Sequence, residues 1–402
     1  MPLASQLVRA RAATGLSQDD LANSLGVSRT MVSYWEAGKR SPNDRQLAAI
    51  SQLLRVPIGV LLGYEEPAPA PDLASMLLRG AGLEVPDEAL SGLADFVAFL
   101  DTFAALGREV NYQFREMRQS PYASGAGFES SEDARRKAEE VRSYLRLGMG
   151  PVGDLEAACD LLGITVYKAN LGRDLKRTVS GAFLKHHDIG FSILVNLDMT
   201  RGRRRFTLAH ELAHALFHSD DNPYLVSTAT KTPRERFADN FAGEFLMPVE
   251  GIRRIMEDHG FGPRIEDPAE VIQVQRFFGV SYITALVRLR QARYLNPAQF
   301  DQFKLVRPVL LARALGYDIA DEEYAPQPDS WRLERFPQRF RTLVRLVVRK
   351  GIISVPTVAA LTRLSIDEVA DLVREEAPKL DQGTEELEEL REFEDTGIVG
   401  VA

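Results

Sequence analysis

The sequence predicts a mainly α-helical protein with a small β-sheet, an α+β chain built from several domains. Three observations lead there. Most of the 402 residues fall in segments whose apolar positions recur every three or four residues. Three short runs rich in β-branched and aromatic side chains, "ITVYK", "SGAFLKH" and "FSILVN", cluster between residues 164 and 196. Serines that suit helix N-caps and glycines that suit helix stops cut residues 1–64 into short helices, five in all.

Composition narrows the class. Hydrophobic residues make up 45% and charged ones 26%, ordinary for a water-soluble globular protein. No stretch approaches the ~18 apolar residues of a membrane span, and the N-terminus "MPLASQLVRARAA" lacks a signal-peptide core. The reading is therefore no membrane partner. The single cysteine, Cys159, leaves no internal disulfide and fits the reducing cytoplasm. The net charge of −8 hides an asymmetry. Residues 1–64 hold seven bases and four acids, while residues 381–395 hold eight acids and one base. A basic head on an acidic chain points to a polyanion met by the head alone.

Five regions follow from these shifts. Residues 1–64 form the head. Residues 65–130 read as a linker with helices, opened by the Pro-rich "EEPAPAPD" and closed by the glycine-containing "QSPYASGAGFESS" joint at 119–131. Residues 131–303 hold a charged helix, the three strands and a histidine-rich helix; 304–380 read as helical; 381–402 form an acidic tail.

In the head, Ser17 and Ser28 stand just before apolar-periodic segments, and Gly26 supplies a turn between them. Two helices so joined make a helix-turn-helix, whose second helix lies in the major groove of double-stranded DNA. There Arg29, Thr30 and Ser33 are the outward side chains; Arg suits guanine, and Thr or Ser suits any base edge. Met31, Val32 and Trp35 turn inward, while Gln18, Lys39 and Arg40 are placed to hold operator phosphates. A helical bundle with no DNA partner has the same caps. The stretch "SQDDLANSLGVSRTMVSYWEAGKRSP" resembles the XRE family of phage-repressor-type regulators, over about residues 5–63. That resemblance implies DNA binding and adds Ser28 to the contacting residues.

The second signal is "FTLAHELAHALFH", residues 206–218, with three of the six histidines. Residues four apart on an α-helix share a face about 6 Å apart along the axis, so His210 and His214 converge on one point. Glu211, about 100° round the helix, reaches a water on a bound ion and can act as base. His218 lies about 12 Å along the axis from His210, too far for the same ion, and reads as a cleft or surface residue. The third ligand comes from "RERFADNFAGEFLMP". Ala238 and Ala242 let that helix press close, bringing Glu235 to the ion and Asp239 to the far ring nitrogen of His210 or His214. Two His, one Glu and a water is an open zinc set, though Mn2+ or another divalent ion also suits it. A surface helix with Glu235 paired to neighbouring arginines is the bland alternative.

Together "SGAFLKHHDIGFSILVN", "RRRFTLAHELAHALFH", "RERFADNFAGEFLMP" and "FFGVSYITALVRLRQARYL" resemble the ImmA/IrrE family of zincin-like metallopeptidases, over about residues 131–300. The resemblance implies His210, His214 and Glu235 as metal ligands and Glu211 as catalytic base. Asp239 departs from the Asn often found there. The family also implies proteolysis of a repressor that controls stress, phage or mobile-element genes. With a DNA-binding head in cis, the chain either meets a repressor at its operator or cuts its own linker between 65 and 130. The competing reading is a non-catalytic regulator or antitoxin that uses the zincin-like domain as sensor or docking surface. Strand "FSILVN" is read either as an edge that pairs with substrate or as a plain core strand. The region "ISVPTVAALTRLSIDEVADLV" imitates a helix-turn-helix and reads as a structural or dimerising module, which leaves a homodimer possible.

Overall fold

The computed structural model describes residues 3–13, 16–54, 87–112, 130–173, 179–219, 224–226, 232–319, 333–362 and 364–374, with isolated positions between them. The fifth helix expected in the head, the Pro-rich stretch, most of the 119–131 joint and the acidic tail lie outside the described residues.

Alternation along the strands decides how the centre is built. Strands β1 (Thr165–Ala169), β2 (Gly181–His186), β3 (Gly190–Asn196) and β4 (Tyr224–Val226) form one sheet in the order β1-β3-β2-β4. β3 pairs parallel with β1 and antiparallel with β2, and β2 pairs antiparallel with β4. Successive side chains leave opposite faces. Val166, Phe183, Phe191, Ile193 and Val195 therefore enter one core, while Tyr167, Ala169, Ala182, Leu184 and Leu194 enter another. Every residue of β3 is buried. It sits between β1 and β2, so it offers no edge to a substrate, and the core-strand reading of "FSILVN" holds. Among the described residues the outer strands are β1 and β4.

The head contains α1 (Leu3–Ala13), α2 (Gln18–Leu25), α3 (Arg29–Glu36) and α4 (Asp44–Leu54), packed round Leu21, Val32, Trp35 and Ile50. Helix α5 (Asp87–Glu109) follows, then α6 (Ser131–Tyr144) and α7 (Leu155–Leu161). On the first face of the sheet lie α8 (Arg201–Phe217), α9 (Pro233–Leu246), α10 (Val249–Asp258), α11 (Pro268–Phe278), α12 (Tyr282–Gln291) and α13 (Pro297–Phe303). Helix α14 (Pro308–Ala314) belongs to the same core, because Ala312 is wholly buried in it and Leu311, Tyr317 and Ile319 pack against it. The hydrophobic core that begins N-terminal to the expected boundary at 303 thus continues to Ile319.

The second face is covered by α5 with α15 (Gln338–Arg349), α16 (Val355–Thr362) and α17 (Ile366–Arg374). Helix α5 is thus part of this second core. The expectation that no segment is apolar enough to span a membrane also needs correcting: residues 88–109 are, with a mean hydropathy of 1.5. Leu93, Phe96, Leu100 and Phe103 on it are nonetheless fully buried, and Phe99 stacks on Tyr167 of the sheet at 4.5 Å. The apolar surface is consumed internally.

The region imitating a helix-turn-helix does fold as two capped helices, α16 and α17, with a capping box between Ser365 and Glu368. Helix α16 packs on α2 and α4 of the head. At that contact Ser354 Oγ lies 3.4 Å from where a side chain on Gly26 would begin. One side of α16 is thus occupied within the chain.

Candidate metal centre and nucleic-acid interface

Helix α8 lies on the sheet with its middle wholly enclosed: Leu208, Ala209, Leu212, Ala213 and Leu216 are all buried. His210, Glu211 and His214 are buried with them, Glu211 and His214 completely. Burying such groups is costly unless they meet partners. The partners come from α9. Its start is fixed by Thr232, whose hydroxyl accepts the Glu235 backbone N–H at 3.2 Å, and by Pro233 in the first turn. Ala238 and Ala242 are completely buried, and α9 packs against α8. The packing of α9 on α8 carries Glu235 and Asp239 to the histidines.

The resulting cluster is tight. Donor atoms of His210, His214 and Glu235 all lie within 4.8 Å of one another. His210 Nε2 stands 3.1 Å from Glu235 Oε2 and 3.1 Å from His214 Nε2; His214 Nε2 stands 3.3 Å from Glu235 Oε1. On the other side of the ring, His210 Nδ1 lies 3.0 Å from Asp239 Oδ1. Of the two histidines offered to Asp239 by the spacing, the structure gives it His210. Two imidazole nitrogens and a carboxylate aimed at one point are the donor chemistry of an open zinc site, so the residues fit a divalent ion.

Electrostatics agree with that convergence. Burial pulls the His210 ring towards neutrality, yet its bonds to Asp239 and Glu235, with the Glu211 charge nearby, carry its pKa up to about 10. Burial also raises the Glu235 carboxyl, and the two histidines overcome it, bringing its pKa down to about 2. Burial dominates for His214, whose pKa falls.

Sequence reasoning missed two neighbours. His218 is 6% exposed and so no surface residue, and its Nδ1 lies 2.9 Å from His214 Nδ1. Its axial distance from His210 excluded it from the ion but said nothing about His214, one turn away. The other is Gly181 at the start of β2. A Cβ there would stand 2.6 Å from Thr207 Cγ2 and 2.9 Å from Glu211 Oε1. The glycine makes the slot in which the Glu211 side chain lies. Its signal was present in "SGAF", as a glycine within a strand pattern.

The head has the predicted caps. Ser17 and Asp20 form a capping box, Gly26 closes α2 with φ +64°, and the Ser28 hydroxyl accepts the Met31 N–H. Arg29, Thr30, Lys39 and Arg40 are exposed, Ser33 is half-buried, and Val32 and Trp35 are buried. Gln18 also bonds within the head. Its amide donates to Glu36 at 2.7 Å, and Glu36 also takes the Arg11 guanidinium at 2.6 Å. The Gln18 bond ties α2 to α3.

Two stretches of the chain match known families. Residues 7–61 match the helix-turn-helix family, and residues 159–290 match the IrrE N-terminal-like domain of peptidase family M78. The chain thus carries a helix-turn-helix domain at 7–61 and, further on, a domain similar to the IrrE N-terminal-like peptidase domain. Among characterised proteins, it is similar to the HTH-type transcriptional activator BcrR of Enterococcus faecalis, at 42% identity over 66 residues. The match covers 16% of this chain and 32% of that one, so about a third of the relative is spanned. A Mycobacterium tuberculosis transcriptional regulator of known structure is similar at 21% identity and a TM-score of 0.27, over 49% of this chain and 53% of that one.

Proposed function

We propose that this regulator is a zinc-dependent endopeptidase that cleaves a repressor, or its own linker, to control stress, phage or mobile-element genes in the cytoplasm. The single observation that carries the reading is the meeting of His210, His214 and Glu235 donor atoms within 4.8 Å. These three residues would hold the ion. When bound, a divalent cation supplies Lewis-acid activation of water and of the scissile carbonyl.

The chain's own residues do the rest. Glu211, adjacent in sequence to His210 and held in the Gly181 slot, takes the proton from the attacking water and returns it to the leaving amine. Asp239 orients the His210 ring through Nδ1. An extended substrate can pair with β4, an outer strand whose Val226 faces Ala182, next to Gly181. In the head, Arg29, Thr30 and Ser33 read bases, Ser28 fixes the start of the reading helix, and Lys39 and Arg40 hold phosphates. Tethering to an operator raises the local concentration of peptidase around a repressor bound there.

The test uses zinc-loaded full-length protein, with and without promoter DNA, incubated with candidate repressors. The wild type is expected to cut a repressor or itself, and Glu211→Gln to keep its zinc while cutting neither. Identical behaviour of the two proteins would contradict the peptidase reading and leave the non-catalytic regulator.

A further inference from the structure

Three histidines run at four-residue intervals along one edge of α8 and onto its C-cap. The first two rings are 4.8 Å apart between centroids and the second two 5.0 Å apart. The two candidate ligands among them are backed by unlike groups. His210 has the carboxylate of Asp239, whose side chain is half exposed at 50%. His214, completely buried, has His218.

We propose that His218 is a positioning residue: its Nδ1 accepts the Nδ1–H of His214 and so fixes the ring through which His214 would bind the ion. The inference rests on the metal-site reading above. Three observations carry it. An imidazole that offers its Nε2 lone pair to a cation carries its proton on Nδ1, and that proton must be accepted. The His214–His218 Nδ1 separation of 2.9 Å is a hydrogen bond, so His218 is the acceptor and keeps its own proton on Nε2.

Next, the ring of His218 is held in place from two sides. It is the C-cap of α8, with its backbone N–H donating to the His214 carbonyl at 3.0 Å, and Phe237 of α9 meets its ring edge-on at 5.3 Å. Phe237 lies between Glu235 and Asp239 in sequence, so the helix that supplies the carboxylates also sets the wall behind His218.

Finally, His218 is poorly explained as filler. Its Nε2 is buried and has no hydrogen-bond partner among the described residues. A leucine or phenylalanine would occupy that volume without a stranded donor. What only the imidazole provides at this position is an acceptor for His214.

The experiment compares wild type, His218→Leu and His218→Asn for zinc affinity by competition with a chromogenic chelator, and for the visible spectrum after loading with cobalt. Asparagine places an acceptor oxygen near the position of Nδ1; leucine fills space and accepts nothing. The leucine variant is expected to bind zinc about 10- to 100-fold more weakly and to shift the cobalt bands, with asparagine restoring affinity to within about threefold of wild type. Wild-type affinity in a folded leucine variant would overturn the proposal. If leucine prevents folding, the asparagine variant decides alone: affinity within about threefold supports the role, and a loss of about tenfold or more overturns it. A wild type that takes up no zinc would instead overturn the metal-site reading itself.

Discussion

Adding one methyl group at Gly181 tests whether Glu211 occupies the place the fold gives it. In Gly181→Ala, the new Cβ would stand 2.6 Å from Thr207 Cγ2, 2.9 Å from Glu211 Oε1 and 3.0 Å from Glu211 Cγ. Ordinary contact begins near 3.4 Å, so the threonine must retreat by about 0.8 Å and the carboxylate by about 0.5 Å. Overpacking of this kind costs about 1–3 kcal/mol in a close-packed core, read as a fall of several degrees in the melting midpoint. The larger effect is on hydrolysis, since displacing a catalytic group by ~1 Å lowers rates by about 100-fold. Zinc affinity should change little, because the ligand atoms face α9. Thr207→Ser removes the worst overlap and leaves that with Glu211. The double variant Gly181→Ala/Thr207→Ser should therefore regain stability without regaining cleavage of whatever substrate the wild type cuts. A Gly181→Ala protein that melts and cleaves like wild type would refute the slot, and with it the proposed placement of the base.

Three further outcomes follow from the same geometry. Asp239→Asn leaves a weaker acceptor on His210 Nδ1 and should reduce zinc affinity by about tenfold in chelator competition, with unaltered affinity counting against its orienting role. In the ion-free site His210 keeps its extra proton up to about pH 10, where its bonds to Asp239 and Glu235 outweigh burial. A cation must displace that proton at any lower pH, so zinc affinity should climb about tenfold per pH unit through the neutral range, and a flat profile would contradict the pairing. In operator titrations, Arg29→Ala and Thr30→Ala should each lose about 1–3 kcal/mol of sequence discrimination, whereas Lys39→Ala should lower the salt slope by about one and leave discrimination intact.

How far the sequence carried depends on the kind of signal. Caps are local: Ser17, Gly26 and Ser28 act on residues within one turn, and all three stand as their spacing dictates. The convergence of His210 with His214 is equally local, since helix geometry alone enforces it. Glu235 needed a second helix, yet Ala238 and Ala242 announced a face made for close approach. What stayed hidden was tertiary. Nothing near Gln18 in sequence shows that Glu36, eighteen residues on, takes its amide. The strand "FSILVN" reads alike as edge or centre, because burial on both faces depends on helices from distant segments. Helix α5 looks like a linker helix until the sheet and α15 are in place to cover it. The distance that sets His218 aside is measured to His210, whereas its partner is His214.

The central claim is that one cation is held by His210, His214 and Glu235 together. Anomalous diffraction at the zinc edge, from crystals of the full-length chain grown with zinc, tests it most directly. One strong peak per chain is expected within coordinating reach of His210 Nε2, His214 Nε2 and the Glu235 carboxylate, lost in Glu235→Ala. A map with no peak there, or with its only peak elsewhere, such as beside the His186–Asp101 and His187–Asp188 pairs, would contradict it.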